Sequence, residues 1–387
     1  MKKKLRACYG VMAVLLFVCL FSGCKEKSLP ITGLPSEDAQ ENCISYQMSG
    51  KIAESEHSFY YHSNGFTYVI DKNTRKCMPL CAKPDCVHED EVLKSNCDAH
   101  TISHVGEIIN YNGSLYYCND ELKVDENGLT IDINKICRMN LDGSDKTEVF
   151  RSEDLNFWSF KIHRGYIYIV ASEYKEDGSA SSDNSCLYRV PVDNGEEFQK
   201  LLTFSEFGDT LFDIRFFEDN MFVLINKYVN DTKEKFTFLK VDLDTLESVN
   251  INKSLSVPAT DMFTIFNGKI ITSKDGHVFE ADLDGKNQRE VIDCNELCKG
   301  YRWFTPLSND GESLMISACK ENEYEKETLI VCDKNYRAKT YNLPIDCRVR
   351  AFCSPAAMIV EDEGKLYYVD KTKLGQFDCM QEIYQLW

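Results

Sequence analysis

From His57 to Trp387 the chain repeats one short theme. A turn carrying Asn, Asp or Gly leads into an apolar strand. A second strand ends in an Asp-rich turn, and a third strand follows. Copies lie at residues 57–80, 112–150, 164–204, 220–251, 267–292, 312–343 and 356–387, and a further apolar segment precedes the inner copies, as at 157–160, 211–214, 262–265 and 301–304. The unit is therefore four strands in roughly 45 to 55 residues, and no long segment shows helical periodicity. Four short antiparallel strands per unit, repeated radially, predict an all-β chain folded as a β-propeller with seven four-stranded blades, the loose period leaving six or eight open. The Asp-Gly turns at 140–145 and 282–285 look superficially like calcium loops. They lack the downstream bidentate Glu and sit where a hairpin must turn, so they read as structural.

The first 24 residues say where such a chain works. Lys2, Lys3, Lys4 and Arg6 precede an apolar run from Val11 to Phe21, then Ser22-Gly23-Cys24. A charged start, a short apolar run and small residues read as a secretory signal, too short for a comfortable membrane span. The cysteine after Ser-Gly resembles the bacterial lipoprotein signal. That resemblance implies a signal peptide at 1–23, lipid on Cys24, and membrane anchoring on the extracytoplasmic side. An ordinary cleaved signal with a chance cysteine is the alternative. Residues 24–42 lack aromatics and carry Pro, Gly, Ser and charge, a flexible tether before a propeller domain at 43–387. The chain's net charge is −18, and removal of the four basic residues above takes it to −22. Such a surface repels phosphate backbones and anionic headgroups, which argues against nucleic acid and leaves the lipid as the membrane anchor.

Eighteen cysteines is high for this length. Cys8, Cys19 and Cys24 belong to the signal region, and the remaining fifteen are odd in number, so at least one is free, blocked or metal-bound. The densest stretch, residues 77–100, holds Cys77, Cys81, Cys86, Cys97, His88 and His100 in one interblade loop. Leu80-Cys81, Lys83-Pro84-Asp85-Cys86, His88 and Cys97-Asp98-Ala99 resemble a segment that recurs early in propeller-like lipoproteins of Firmicutes, a family of unknown function. The resemblance supports fold and location, and His100 stands where an aromatic is expected. Three chemistries compete. Cys81, Cys86, His88 and Cys97 suit a closed, structural zinc site, although C-x4-C-x-H-x8-C is not a common finger spacing. Pairs among the four cysteines suit disulfides that staple the loop. Reactive thiols are the third reading, weakened because the loop has no C-x-x-C pair. Cys118 with Cys137, and Cys319 with Cys332, lie on strands that neighbour each other. Cys294 and Cys298 are four apart.

The known geometry of propellers implies that strand one of each blade lines the channel. It also puts the strand 2–3 loops and the interblade loops on one face, and ring closure is expected from a last blade built from both chain ends. Insertions at 119–134, 173–185, 227–235 and 320–327 fall on that face with the cysteine loop. They are acidic, with Asp120, Glu121, Asp125, Glu126, Asp132, Glu173, Glu176, Asp177, Asp183, Glu321, Glu323, Glu325 and Glu327. Per-repeat insertions on one face mark a binding side, here for a protein, peptide or glycan of cationic or polar character. Simple solvation of loops is the competing account. The chain lacks H-E-x-x-H, G-x-S-x-G and a phosphate-binding Gly loop. His57, His62, His163 and His277 fall in or beside strands and read as satisfied polar residues, while Trp158 and Trp303 read as blade packing. The expectation is a cell-surface binding lipoprotein without assigned catalytic residues. The alternative is an envelope enzyme acting on glycan or peptide at the channel mouth.

Overall fold

Each repeat folds as its short apolar runs between turns require. The computed structural model describes residues 51–385, apart from 64, 87, 89–96, 102, 104, 125–129, 175–179, 194, 196–197, 205–208, 230–232, 260–261, 322–326, 345–349, 355–356 and 363–364. Blade 1 comprises β1 (Ile52–Glu54), β2 (Ser58–Ser63), β3 (Phe66–Asp71) and β4 (Cys77–Pro79). Blade 2 comprises β5 (Ile108–Tyr111), β6 (Ser114–Cys118), β8 (Thr130–Asn140) and β9 (Thr147–Ser152), with β7 (Glu121–Val124) added on the outer half of β8. Blade 3 is β10 (Leu155–His163) to β13 (Gln199–Phe204) through β11 (Tyr166–Tyr174) and β12 (Ala180–Pro191). Blade 4 holds β14 (Asp209–Phe217), β15 (Asn220–Val229), β16 (Lys233–Asp242) and β17 (Ser248–Asn250). Blade 5 holds β18 (Phe263–Phe266), β19 (Lys269–Lys274), β20 (His277–Ala281) and β21 (Arg289–Asp293). Blade 6 holds β22 (Trp303–Asn309), β23 (Ser313–Cys319), β24 (Thr328–Asp333) and β25 (Ala338–Asn342), and blade 7 β26 (Arg350–Cys353), β27 (Ala357–Asp362), β28 (Lys365–Asp370) and β29 (Met380–Gln385). These seven antiparallel sheets form a seven-bladed β-propeller.

A central strand is buried on both faces because a blade packs against two neighbours. In β23, Leu314, Ile316 and Ala318 join residues of blade 5 such as Phe266 and Ile271, while Met315 joins Met358 and Val360 of blade 7. Burying an Ile or Leu side chain is worth about 1.5–3 kcal/mol, so one strand stabilises two interfaces. Polar contacts fasten neighbouring blades. Asn110 Nδ2 donates to Glu54 O at 2.7 Å, and Asn309 Nδ2 donates to Ile265 O at 2.9 Å. His163 Nε2 meets Glu218 O at 2.8 Å, and Lys371 pairs with buried Asp310. Blades 2, 3 and 4 also share a buried charged set. Lys161 lies 3.9 Å from Glu107, and Arg215 Nε donates to Asp213 at 3.0 Å. Burial pushes the Asp213 carboxyl up, and the Arg215 charge opposes it.

Closure differs from the sequence expectation. Blade 1 is built from residues 52–79 alone and blade 7 from 350–385 alone, so no described strand crosses between the chain ends. Blade 1 brings its own inner strand and blade 7 its own outer strand, which moves closure onto side chains. Ile52, Phe59, Tyr61 and Ile70 pack against Ala357, Ile359 and Leu366. Tyr61 donates to Glu361 at 3.2 Å, and Arg75 donates to Gln381 at 2.9 Å while lying 4.5 Å above the Tyr368 ring.

The Asp-Gly turns are structural, as read. Asp142 Oδ1 accepts from Ser144 N at 3.0 Å, and Asp282 accepts from Lys269 and Asn287. Gly143 has φ +87°, and a Cβ there would lie 2.8 Å from Leu80 O, so the turn can seat on the preceding blade only as glycine. Three insertions extend their blades as hairpin arms: β7 with β8, β11 with β12, and β15 with β16. The signal segment, Cys24 and the tether lie outside the described residues.

Deleting residues 376–387 removes β29, bares the edge of β28 and breaks the Arg75–Gln381 contact. The expected result is a lower, broader thermal transition for the whole domain. An unchanged melting curve would show that closure does not depend on this strand.

Candidate metal centre and ligand cleft

The cysteine loop is held at both ends by one residue. Thr67 on β3 accepts from Leu80 N at 2.8 Å and donates its own N–H to Ala99 O at 2.8 Å. Thr101 N donates to Gly65 O at 2.9 Å, and Phe66 bridges to His100. Beneath them, buried His62 places Nδ1 3.2 Å from Thr101 Oγ1, and burial holds its imidazole down to about 4. It is a satisfied polar residue, as read.

Between these anchors the chain turns tightly. Lys83-Pro84-Asp85-Cys86 closes with Cys86 N donating to Lys83 O at 3.4 Å, and proline at the second position presets the turn. His88 has φ +54°, a left-handed conformation that costs a non-glycine residue about 1–2 kcal/mol. Its Nδ1 lies 3.2 Å from Cys97 Sγ. The ligating atoms of Cys81, Cys86, His88 and Cys97 all fall within 4.8 Å of one another. A tetrahedral ion with 2.3 Å bonds to sulfur needs S···S edges of about 3.8 Å, so a small contraction suffices. The set could hold a metal ion. Burial would push the Cys81 thiol up, but amides of Lys83 and Asp98 and hydrogen bonds from Cys97 and Cys86 outweigh it and leave it below its ordinary value. Burial pushes Cys97 the other way, upward. The Lys83–Asp98 pair, 2.9 Å apart, lies beside the set.

Of the cysteine pairs that neighbouring strands could have joined, none is bridged among the described residues, where these thiols are free and mostly buried. Cys77 packs with the blade 1–7 core, away from the cluster, and burial pushes it up to about 12. That leaves three loop cysteines, an odd number for bridges. Cys118 opposes Ile136, and Cys137 opposes Tyr117, so the pair falls into different cores. Cys332 opposes Leu314 at the far end of β23 from Cys319. Cys294 and Cys298 are free and buried with Cys332. A one-residue offset in a strand reverses the face and separates Cys118 from Cys137, whereas distance along β23 separates Cys319 from Cys332.

A second feature escaped the sequence reading. Between blades 2 and 3 lies a cleft of about 850 Å³, lined by Phe150, Asp154, Glu173, Tyr188, Phe198 and Lys200 among others. The Phe198 ring is 53% exposed and stands 5.8 Å from Phe150 and 5.7 Å from Tyr188. Tyr188 donates to Glu173 at 2.9 Å, and Lys200 pairs with Glu173 at 2.5 Å. The one available signal was an aromatic residue next to an outer strand, Phe198, with no blade beyond it to cover it. The expected acidic face is in part internally paired. Glu121 meets Lys135, and Glu321 meets Arg302 at 3.1 Å. Asp120 is buried. Asp125, Glu126, Glu176, Asp177, Glu323 and Glu325 lie outside the described residues.

No protein-family model and no curated protein matches the chain. Among solved structures it is similar to the β-propeller domain of the Trilobed protease from Pyrococcus furiosus, at 14% identity and TM-score 0.47, covering 68% of this chain and 80% of that one. It is also similar to an acylaminoacyl peptidase from Pyrococcus horikoshii, at 13% identity and TM-score 0.49, covering 72% of this chain and 45% of that one. A putative 6-phosphogluconolactonase from Bacteroides fragilis is matched at 11% identity and TM-score 0.47, over 87% of this chain and 94% of that one. The chain thus spans under half the length of the peptidase. These likenesses assign it no chemistry.

If the loop holds a metal, His88→Ala and Cys86→Ser should each lose it to a similar degree. Elemental analysis of the purified full chain checks this. A metal-free folded protein with Cys81, Cys86 and Cys97 oxidised would end the metal reading.

Proposed function

We propose that this chain is a lipid-anchored surface protein whose propeller binds a polar ligand in the cleft between blades 2 and 3. The observation that carries the reading is the aromatic cleft itself. Phe198 offers an exposed ring, and Glu173, Asp154 and Lys200 surround it with donors and acceptors. Pockets that combine aromatic walls with a few placed polar groups suit small ligands and ligand segments. Arg151 and Lys200 face Glu153, Asp154 and Glu173, so the lining is close to charge balance. A neutral glycan fits that balance better than a strongly charged peptide. Its C–H faces meet the rings, and its hydroxyls meet the carboxylates.

In this reading Cys24 carries the lipid and residues 24–42 are the tether. No described helix is long and apolar enough to cross a membrane. Zinc is the metal that three thiolates and one imidazole best suit, and a full tetrahedral set makes it structural. It would order the loop over the β2–β3 turn, where no blade core can do so.

Two measurements test the proposal. Titration of the full chain in detergent with neutral oligosaccharides should show saturable binding, and Phe198→Ala should weaken it about fivefold, from a stacking contribution of about 1 kcal/mol. Binding of peptides but not sugars would reject the glycan, and no binding of either would reject the cleft. Separately, Cys24→Ala should leave an unprocessed precursor without lipid, whereas equal lipid labelling of both forms would remove the anchor.

A further inference from the structure

His277, at the start of β20, stands opposite Asp293, at the end of β21. In a regular ladder Glu290, three residues before Asp293, would point to the other face. The register slips between Val278 and Phe279, and the bulge turns Glu290 to the outer side with His277 while Val291 and Ile292 stay on the core. Glu290 Oε1 lies 3.1 Å and Asp293 Oδ1 4.0 Å from His277 Nδ1. That nitrogen is shielded from water, and no aligned hydrogen bond satisfies it. Asp293 is already fixed in place, because its Oδ1 caps the helical turn 294–297 by accepting from Asn295 N and Glu296 N. One ligating atom from each of the three residues lies within 4.8 Å of the others.

We propose that His277, Glu290 and Asp293 form a second metal site, one for a divalent transition-metal cation with nitrogen and oxygen donors. One imidazole and two carboxylates are the donor chemistry that zinc and its neighbours accept, and too rich in nitrogen for calcium or magnesium. All three side chains are between 31% and 46% exposed, so water can complete the coordination and an open position remains. The site differs in kind from the cysteine loop, where four protein ligands leave none. It lies in blade 5, where the β19–β20 turn meets the link to blade 6, the same end of the strands from which the cysteine loop springs in blade 1.

The test titrates the chelator-stripped full chain, in detergent, with Zn²⁺ and with Co²⁺. Two equivalents should bind, only one of them producing a sulfur-to-cobalt absorption band. His277→Ala should weaken the band-free equivalent by at least roughly tenfold, the smallest loss expected even for an outer-shell partner, and leave the sulfur band intact. Glu290→Gln, an exposed change that keeps shape, should do the same and decides the matter if His277→Ala fails to fold. Cys86→Ser should abolish the sulfur band and leave the second equivalent. A wild-type protein with no band-free equivalent overturns the inference. So does a band-free equivalent unchanged in both variants. Loss of the sulfur band alone in the wild type counts against zinc in the loop and not against this site.

Discussion

A blade of this propeller has no solvent face on its middle strands, and everything else follows from that. A strand with side chains at a period of two must satisfy two neighbours at once, as Met315 and Ile316 do in opposite directions. The constraint is circular, so the seventh blade must meet the first with the same density of contact. Here the meeting is made by the Phe59, Tyr61, Ala357 and Ile359 cluster and not by strand exchange. Hydrogen bonds such as Asn110 to Glu54 and Asn309 to Ile265 fix the rotation of one blade against the next. Each adds only about 1 kcal/mol net, but leaving such a buried group unpaired would cost more.

The cysteine loop lives outside that scheme. Among its described residues, the buried apolar contacts are those of Cys97 and Ala99 with Phe66, with Cys81 and Cys86 packed beside them. Thr67 ties both arms to β3, which brings residues 81 and 97 together. His88 keeps a left-handed conformation, which costs about 1–2 kcal/mol, with its Nδ1 3.2 Å from Cys97 Sγ, and a metal bond would be strong enough to offset that cost.

The face that carries this loop also carries the hairpin arms. The arms lengthen strands that the blade needs anyway, so they add surface without disturbing the core. The cleft forms where β9 of one blade meets β13 of the next and leaves Phe198 uncovered. Phe198, just before the outer strand β13, has no further blade to cover it, whereas Phe150 on β9 is buried.

The repeat of turns and strands was enough to reach seven four-stranded blades, because burial on both faces writes near-continuous apolar runs that chance does not repeat. The grouping of Cys81, Cys86, His88 and Cys97 was legible for a similar reason: short separation in sequence limits separation in space. The mode of closure was not, since pairing between chain ends depends on which strand finishes the last sheet. Nor were the thiol pairings, because Cys118 and Cys137 are parted by a single step of register. The blade 2–3 cleft and the His277, Glu290 and Asp293 group were invisible for the same physical cause. Side-chain direction in a strand reverses with every residue, so an interblade gap or one bulge at Val291 decides which groups meet, and tertiary packing alone sets both.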